Sequence, residues 1–509
     1  MSVKLSGLSS NLDTESIIKA LVSAYSVSKD NLEKAQTQLS WTKDSWKAMN
    51  TKIYSFYSKS ISNMKLTASY NKKASTISDA TIAKVTSSSS STNGTQSLEV
   101  NKLAASGYLT GGTTSTESTV GGVTTAGKAT LTSKLSDIKG LSAFTTGTIS
   151  AGIGTNTTNI DLTADMTVGK LVTKLKEAGV NASFDEVNQR FFVSAKSSGK
   201  DNDFTLSAVD ASGTTALKSL GLTSDSAGAV RNTGTDAEIK LNGATFTSST
   251  NNFQINGLTI QALTYTKADT SVSITTDTDV DGIYKMVKDF FKGYNELING
   301  MDAANNADSA GSYKPLTTDE KAAMTDTQIE AWEKKIKDSL LRKDSTLGGV
   351  INSLKTEMLG SFKVDDKSYS LSSFGINTLS YFTSADNEKG AYHIDGDTDD
   401  TNSSGNADKL RAAIASNPDA VTSFFTQLTS SVYTDLTKRM KSSSLRSAYT
   451  IYNDKQMDTE YSEYTTKIAD QTTKISTMED YYNRKFTAME SALSKLNSNT
   501  SALSSMLGS

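Results

Sequence analysis

The chain has 509 residues, with Lys plus Arg (52) nearly balancing Asp plus Glu (55), and its net charge of −3 leaves no basic excess to neutralise a phosphate backbone or anionic lipid. Zero cysteines exclude disulfides, thiolate nucleophiles and Cys-ligated zinc, and a single histidine removes most metal sites and most Ser-His triads built in the usual way. Ser and Thr exceed a quarter of the residues, hydrophobics are 36% and prolines number 2, a balance that suits exposed β-structure and long polar helices better than one large core. At roughly 150 residues per domain, about three domains are expected.

Mean hydropathy is −0.38, and no stretch approaches the ~18 apolar residues of a membrane span. Met1 to Ser16 is polar, without the basic start and apolar stretch of a cleaved signal, so export is expected by another route. Asn11-Leu12-Asp13-Thr14 offers an N-cap, and a helix is expected to start near Thr14. Ile17, Leu21 and Ala24, then Leu32, Ala35, Leu39, Thr42, Trp46, Met49, Ile53 and Phe56, step by three and four with one stutter near Ser28. Roughly 50 uninterrupted residues would make a rod of about 75 Å.

From Ala74 to Thr276 the chain is rich in Gly, Ser and Thr with short alternating runs, and β-structure is expected. Strand candidates are Thr76 to Val85, Leu98 to Leu103, Leu131 to Ser133, Phe184, Phe191 to Val193, Phe204 to Leu206, Ile239 to Leu241, Phe253 to Ile260 and Val272 to Ile274. A short helix is expected over Val168 to Ala178. Helical periodicity returns from Ile283 through Leu297-Ile298, from Asp319 to Leu340 and from Asp408 to Arg439. The C-terminal end mirrors the N-terminal one: Tyr461, Tyr464, Ile468, Gln471, Ile475, Met478 and Tyr482, then Phe486, Met489, Leu493, Leu496, Thr500, Leu503 and Leu507 after a second stutter. A seam so rich in Thr, Gln, Ser and Tyr is weak for a permanent coiled coil, which points to helices that complete their packing in an assembly.

Gly7-Leu8-Ser9-Ser10-Asn11-Leu12-Asp13-Thr14, Gln96-Ser97-Leu98-Glu99-Val100-Asn101-Lys102-Leu103-Ala104 and Phe290-Phe291 with Tyr294-Asn295 and Leu297 are family-like segments. So are Tyr313-Lys314-Pro315-Leu316-Thr317 with Trp332-Glu333, Phe374-Gly375-Ile376, and Asn417-Pro418-Asp419-Ala420-Val421 with Phe424-Phe425. In these the chain resembles the flagellar filament-capping family, also called the hook-associated protein 2 family. The resemblance implies a non-enzymatic, cofactor-free structural protein at the tip of a bacterial flagellum, exported through the flagellar type III apparatus, that promotes flagellin polymerisation and prevents loss of monomers. Implied partners are further copies in a ring of roughly four to six subunits, flagellin, the hook-associated junction proteins, and the export apparatus with its chaperone. Scarce proline and absent cysteine suit a chain threaded through a channel and folded outside, where slow isomerisation and disulfide chemistry are minimised.

The expected fold class is α+β multidomain. A helical coiled-coil stalk takes residues 1–45 and 441–509, a mixed leg takes 46–107 and 275–440, and a β-rich head, in two subdomains, takes 108–274. Subunit or filament contacts are expected at Ile17, Leu21, Leu32, Leu39, Trp46, Ile475, Tyr482, Phe486, Met489, Leu493, Leu496, Leu503 and Leu507. The alternatives are a hook–filament junction protein or flagellin relative, and a coiled-coil surface adhesin whose Thr-rich head binds host glycans.

Other motifs favour plain structural readings. Asp277-x-Asp279-x-Asp281-Gly282 opens like a calcium loop, but Lys288 replaces the bidentate glutamate at position 12. Asp395 to Asp400 lacks the loop glycine, His393 has no second histidine or cysteine to share a metal, and Gly152-Ile153-Gly154 reads as a turn. No metal or cofactor site is therefore expected.

Overall fold

The computed structural model describes residues 12–507 apart from 381, 383, 386 and 387; the Gly7 to Asn11 part of the opening motif lies outside them. The chain forms two compact units, one from residues 1–70 and 280–509 and one from 71–279.

The first unit opens with α1 (Thr14–Ser55), which starts where Asp13 accepts a hydrogen bond from the Ser16 amide at 3.1 Å. With neither Gly nor Pro to interrupt it, α1 continues into a π-helical turn (Phe56–Ile61) and the short α2 (Ser62–Met64).

The second unit contains β1 (Lys73–Ile77), β2 (Ala83–Ser87), β3 (Gly94–Lys102), β4 (Tyr108–Thr113), β5 (Thr116–Val120), β6 (Val123–Gly127), β7 (Thr146–Ile153) and β8 (Asn156–Thr163). Helix α3 (Val168–Glu177) and strands β9 (Asn181–Asp185), β10 (Arg190–Ser194) and β11 (Phe204–Ala208) follow, then α4 (Ala211–Ser219) and β12 (Val230–Asn232). Strands β13 (Ala237–Leu241), β14 (Ala244–Ser248), β15 (Asn252–Ile255), β16 (Leu258–Ala262) and β17 (Val272–Thr278) complete it. The main sheets run β1-β17-β3-β13-β14, β12-β4-β10-β9, β11-β7-β8 and β15-β16-β2, every pair antiparallel. Asn242-Gly243 and Asn256-Gly257 close two hairpins with positive φ at both residues, the backbone that a two-residue type I′ loop requires.

Two apolar clusters lie within this unit. One joins Leu109, Phe191 and Val193 to Leu171 of α3 and Leu217 of α4; the other joins Leu98, Val100, Ile239 and Ile274 to Phe253, Leu258 and Ile260. The division between units departs from the expected boundaries at 107 and 274. Strand β3 is hydrogen-bonded between β17 and β13, and β1 borders β17, so residues 73–77 and 94–102 belong to a sheet whose other strands come from 237–278.

Several expected elements differ locally. Thr76 to Val85 is two strands in different sheets, split where Asp79 accepts the Thr81 amide at 2.9 Å. Phe253 to Ile260 is the β15–β16 hairpin rather than one strand. Leu131 to Ser133 is a turn, closed by Ser133 N to Thr130 O at 3.0 Å and by Glu186, which accepts the Leu131 amide at 2.6 Å.

The first unit resumes with α5 (Val280–Asn305), α6 (Thr318–Ala322), α7 (Asp326–Asp338) and α8 (Ser345–Met358). Short strands β18 (Phe362–Val364), β19 (Lys367–Tyr369), β20 (Ile376–Thr378) and β21 (Tyr392–Ile394) precede α9 (Lys409–Ser416), α10 (Pro418–Arg439) and α11 (Asp454–Leu507). The expected helix from Asp319 to Leu340 is broken because Thr325 caps a new one, accepting the Gln328 amide at 3.4 Å. Aromatic rings fill the core: Phe56 on Phe290 (5.4 Å between centroids), Phe290 on Phe291 (5.2 Å), Phe374 on Phe424 (5.0 Å) and Phe424 on Phe425 (5.1 Å).

Candidate functional site

Helices α1 and α11 pack along each other in antiparallel register. Gln36 Nε2 donates to Thr465 Oγ1 at 2.7 Å, and Gln471 Nε2 donates to the Tyr25 carbonyl at 3.3 Å. Lys43 pairs with Asp458, whose hydrogen bond raises the ammonium pKa, and Trp46 stacks on Tyr452 with centroids 5.5 Å apart. Most of these seam contacts are polar. Lys34 ties α1 to α6 through Glu320 at 2.6 Å, holding that carboxyl below its ordinary range.

Burial grades along the pair. Trp46 is 1% exposed and continues directly into the aromatic core, whereas Leu32 and Leu39 are half-buried. On α11, Ile475, Tyr482, Phe486, Met489 and Leu493 are half-buried, while Leu496 and Leu503 are 59% and 60% exposed. Leu507 ends α11, and its side chain lies outside the description.

Near its start, α1 buries Thr14, Ile18 and Val22, leaving Ile17 half-buried and Leu21 43% exposed. The buried face is thus one residue on from the expected seam. Ile17-Ile18 and Leu21-Val22 are adjacent apolar pairs, and spacing by itself cannot choose between the two stripes. Tyr25 and Val27 are also exposed, so this end of α1 carries apolar side chains outside the helix pair.

The acidic runs are engaged by the chain's own cations. Lys288 Nζ lies 2.6 Å from Asp397 and 2.7 Å from Asp399, and Arg411 pairs with Asp281 and, at 3.0 Å, with Asp408. His393 meets Asp400 at 2.6 Å through Nδ1 and lies 3.0 Å from Glu388 through Nε2. Among the described residues no group of three or more His, Asp or Glu side chains is placed to hold a metal ion, and no helix is long and apolar enough to cross a membrane.

Glu333, one residue after Trp332, was not singled out for its charge, yet it is only 9% exposed, with Lys321 at 2.6 Å and Lys337 at 2.9 Å. Burial pushes its carboxyl up, but the two ammonium groups outweigh that and hold its pKa below the ordinary value. A carboxyl with a lower pKa folded than unfolded stabilises the fold above its unfolded pKa, and the gain disappears as pH falls through the folded value. Glu333→Gln is therefore expected to cost about 1 kcal/mol at pH 7, the lysines being partly solvated. Melting curves of the two proteins should converge on acidification below about pH 4; a constant gap from pH 7 to 3 would contradict this assignment.

A family model described as flagellar hook-associated protein 2 C-terminus matches residues 234–498, and one described as flagellar hook-associated protein 2 N-terminus matches residues 10–107. Flagellar hook-associated protein 2 of Halalkalibacterium halodurans is 23% identical over 470 residues, covering 87% of this chain and 83% of that one. The A-type flagellar hook-associated protein 2 of Pseudomonas aeruginosa is 24% identical over 330 residues, covering 62% and 66%. Among solved structures, the D1-D2-D3 domains of the flagellar cap protein FliD from Escherichia coli align with a TM-score of 0.48 at 18% identity, covering 77% of this chain and 95% of that one.

Proposed function

The chain belongs to the flagellar hook-associated protein 2 family, and from that premise we propose that it is the structural cap at the distal tip of a bacterial flagellar filament, extracellular and oligomeric, promoting flagellin polymerisation and retaining monomers. One observation carries this reading: the family matches fall on both ends of the chain, and those ends contribute α1 and α11, the helices that pack together.

The stalk these helices form is suited to completion by a neighbour. Its seam contacts are largely polar, and Leu21, Leu496 and Leu503 face away from the chain's own core. We assign these three to contacts with neighbouring subunits or the filament end, and Trp46 to anchoring the stalk in its own subunit. Flagellin, the hook-associated junction proteins, a ring of roughly four to six copies, and the export apparatus with its chaperone complete the set of partners.

Deleting the gene tests the reading. Cells are expected to export flagellin without polymerising it, leaving monomer in the medium and filaments absent or very short. Filaments of normal length with no free flagellin would contradict it, and a loss of attachment with intact filaments would favour the adhesin.

A further inference from the structure

Strand β11 is the outer strand of its sheet, and among the described strands it pairs with β7 alone. The backbone bonds Gly154 N to Asp203 O (2.8 Å) and Val209 N to Thr148 O (2.9 Å) fix the phase of that pairing. Because antiparallel pairing alternates, residues 203, 205, 207 and 209 aim their N–H and C=O groups at β7, and residues 204, 206 and 208 aim theirs away. Phe204 is satisfied on the outer side: its amide donates to Asp203 Oδ1 at 2.9 Å, and its carbonyl accepts from Arg231 Nη2 at 3.1 Å. Leu206 and Ala208 take no such partner among the described residues.

A groove of about 550 Å³ lies along this edge, lined by all five residues of β11. Successive side chains of a strand point to opposite faces, so a groove touched by five in a row runs beside the strand rather than over one face. Leu109, Leu217 and Leu222 form its apolar wall. Arg231 at its end is neutralised by Asp203 at 2.8 Å, so the groove offers no unpaired charge.

The same unit carries a complementary element. Strands β5 and β6 form a sheet of their own, joined by Gly121-Gly122, and every residue of β6 is exposed. Val120 and Val123 at the tip are 77% and 65% exposed. Two isolated strands are marginal in water, and an open, uncharged edge invites pairing. From Ser118 to Gly127 the arm has no charged side chain, so docking it would desolvate no charge. With Val120 and Val123 as the bonded pair beside the loop, Thr124 and Ala126 aim their backbone groups outward. That i, i+2 pair matches the pair Leu206 and Ala208.

We propose that β6 of one copy adds as a strand to the free edge of β11 in a second copy. The proposal rests on the oligomeric cap reading and names the contact that would build it. Arm and groove are different surfaces, so the contact is head-to-tail and repeats around a ring when the rotation closes.

The chain has no cysteine, which makes cross-linking unambiguous. Ala126→Cys protein mixed with Ala208→Cys protein should give covalent dimers on mild oxidation, and neither variant should do so alone. Ala126→Pro removes an outward amide and is expected to weaken self-association at least tenfold in sedimentation, with an unchanged melting temperature; if the melting temperature falls, the cross-link decides. No cross-link together with unaltered association of Ala126→Pro would overturn the proposal. Should light scattering then still find oligomers, only this contact is wrong and the cap reading stands; a chain monomeric at every concentration would overturn both the contact and the oligomeric reading.

Discussion

Ending the chain before Phe486 is expected to abolish filament capping while leaving the 71–279 unit folded. Continuing the α1–α11 register from Gln36 against Thr465 and Tyr25 against Gln471 brings Thr14 opposite roughly Tyr482 to Phe486. Beyond that point α11 still carries Met489, Leu493, Leu496 and Leu503, with the last two more than half exposed. Leaving a large apolar side chain in water rather than buried forgoes roughly 1.5–3 kcal/mol each, and a stripe of them at helical spacing is a binding face. Truncation should thus cost assembly, not folding: non-motile cells, flagellin monomer in the medium and an unaltered β-sheet signal in circular dichroism. Leu496→Asp combined with Leu503→Asp should reproduce the defect, because both side chains are already solvated and their change burdens no core. Long filaments on cells carrying either variant would show that this end of α11 is dispensable.

Much of this architecture was legible because its signals are local. The Asp13 cap and the three-four spacing, broken by a single stutter near Ser28, define α1, and the Asn-Gly hairpins lie inside a region read as β from composition. The family-like segments around Phe290, Trp332 and Phe424 fall in α5, α7 and α10, helices of the first unit. What escaped depends on pairing across the chain. That β3 sits between β17 and β13, moving residues 71–107 out of the leg, is a fact about partners more than a hundred residues away. Helix α8 was hidden by Gly348-Gly349 in its first turns, although Asp344 caps it through the Thr346 and Leu347 amides at 2.8 and 3.0 Å. The π-helical turn at Phe56–Ile61 has no composition signal; it lies where the chain passes Gly293, at which an added Cβ would come 3.6 Å from the Phe56 ring. The open edge of β11 follows only from sheet order, which a list of strands does not contain.

Phe425→Ala is expected to destabilise the first unit by about 3–5 kcal/mol without moving the unfolding of the second. Phe425 is 0% exposed on α10, with its ring 5.1 Å from Phe424, 5.7 Å from Phe374 and 6.4 Å from Phe291. These ring neighbours are large and the interior is close-packed, so the cavity left by truncation collapses only in part. A loss of this size is a large fraction of the 5–15 kcal/mol that ordinarily holds a domain together. The three tryptophans, Trp41, Trp46 and Trp332, all lie in the first unit, so fluorescence reports on that unit alone. Circular dichroism sees both. In urea, the fluorescence midpoint should fall sharply in the variant, while the part of the dichroism signal arising from the β-rich unit keeps its midpoint, as expected for units with separate cores. Equal shifts of both signals would mean that the two units unfold as one cooperative block. The consequence for assembly follows from Trp46, which belongs to the same core and stacks on Tyr452. Loosening that core frees the base of the α1–α11 pair, so the variant should cap poorly at temperatures where its sheets are still intact.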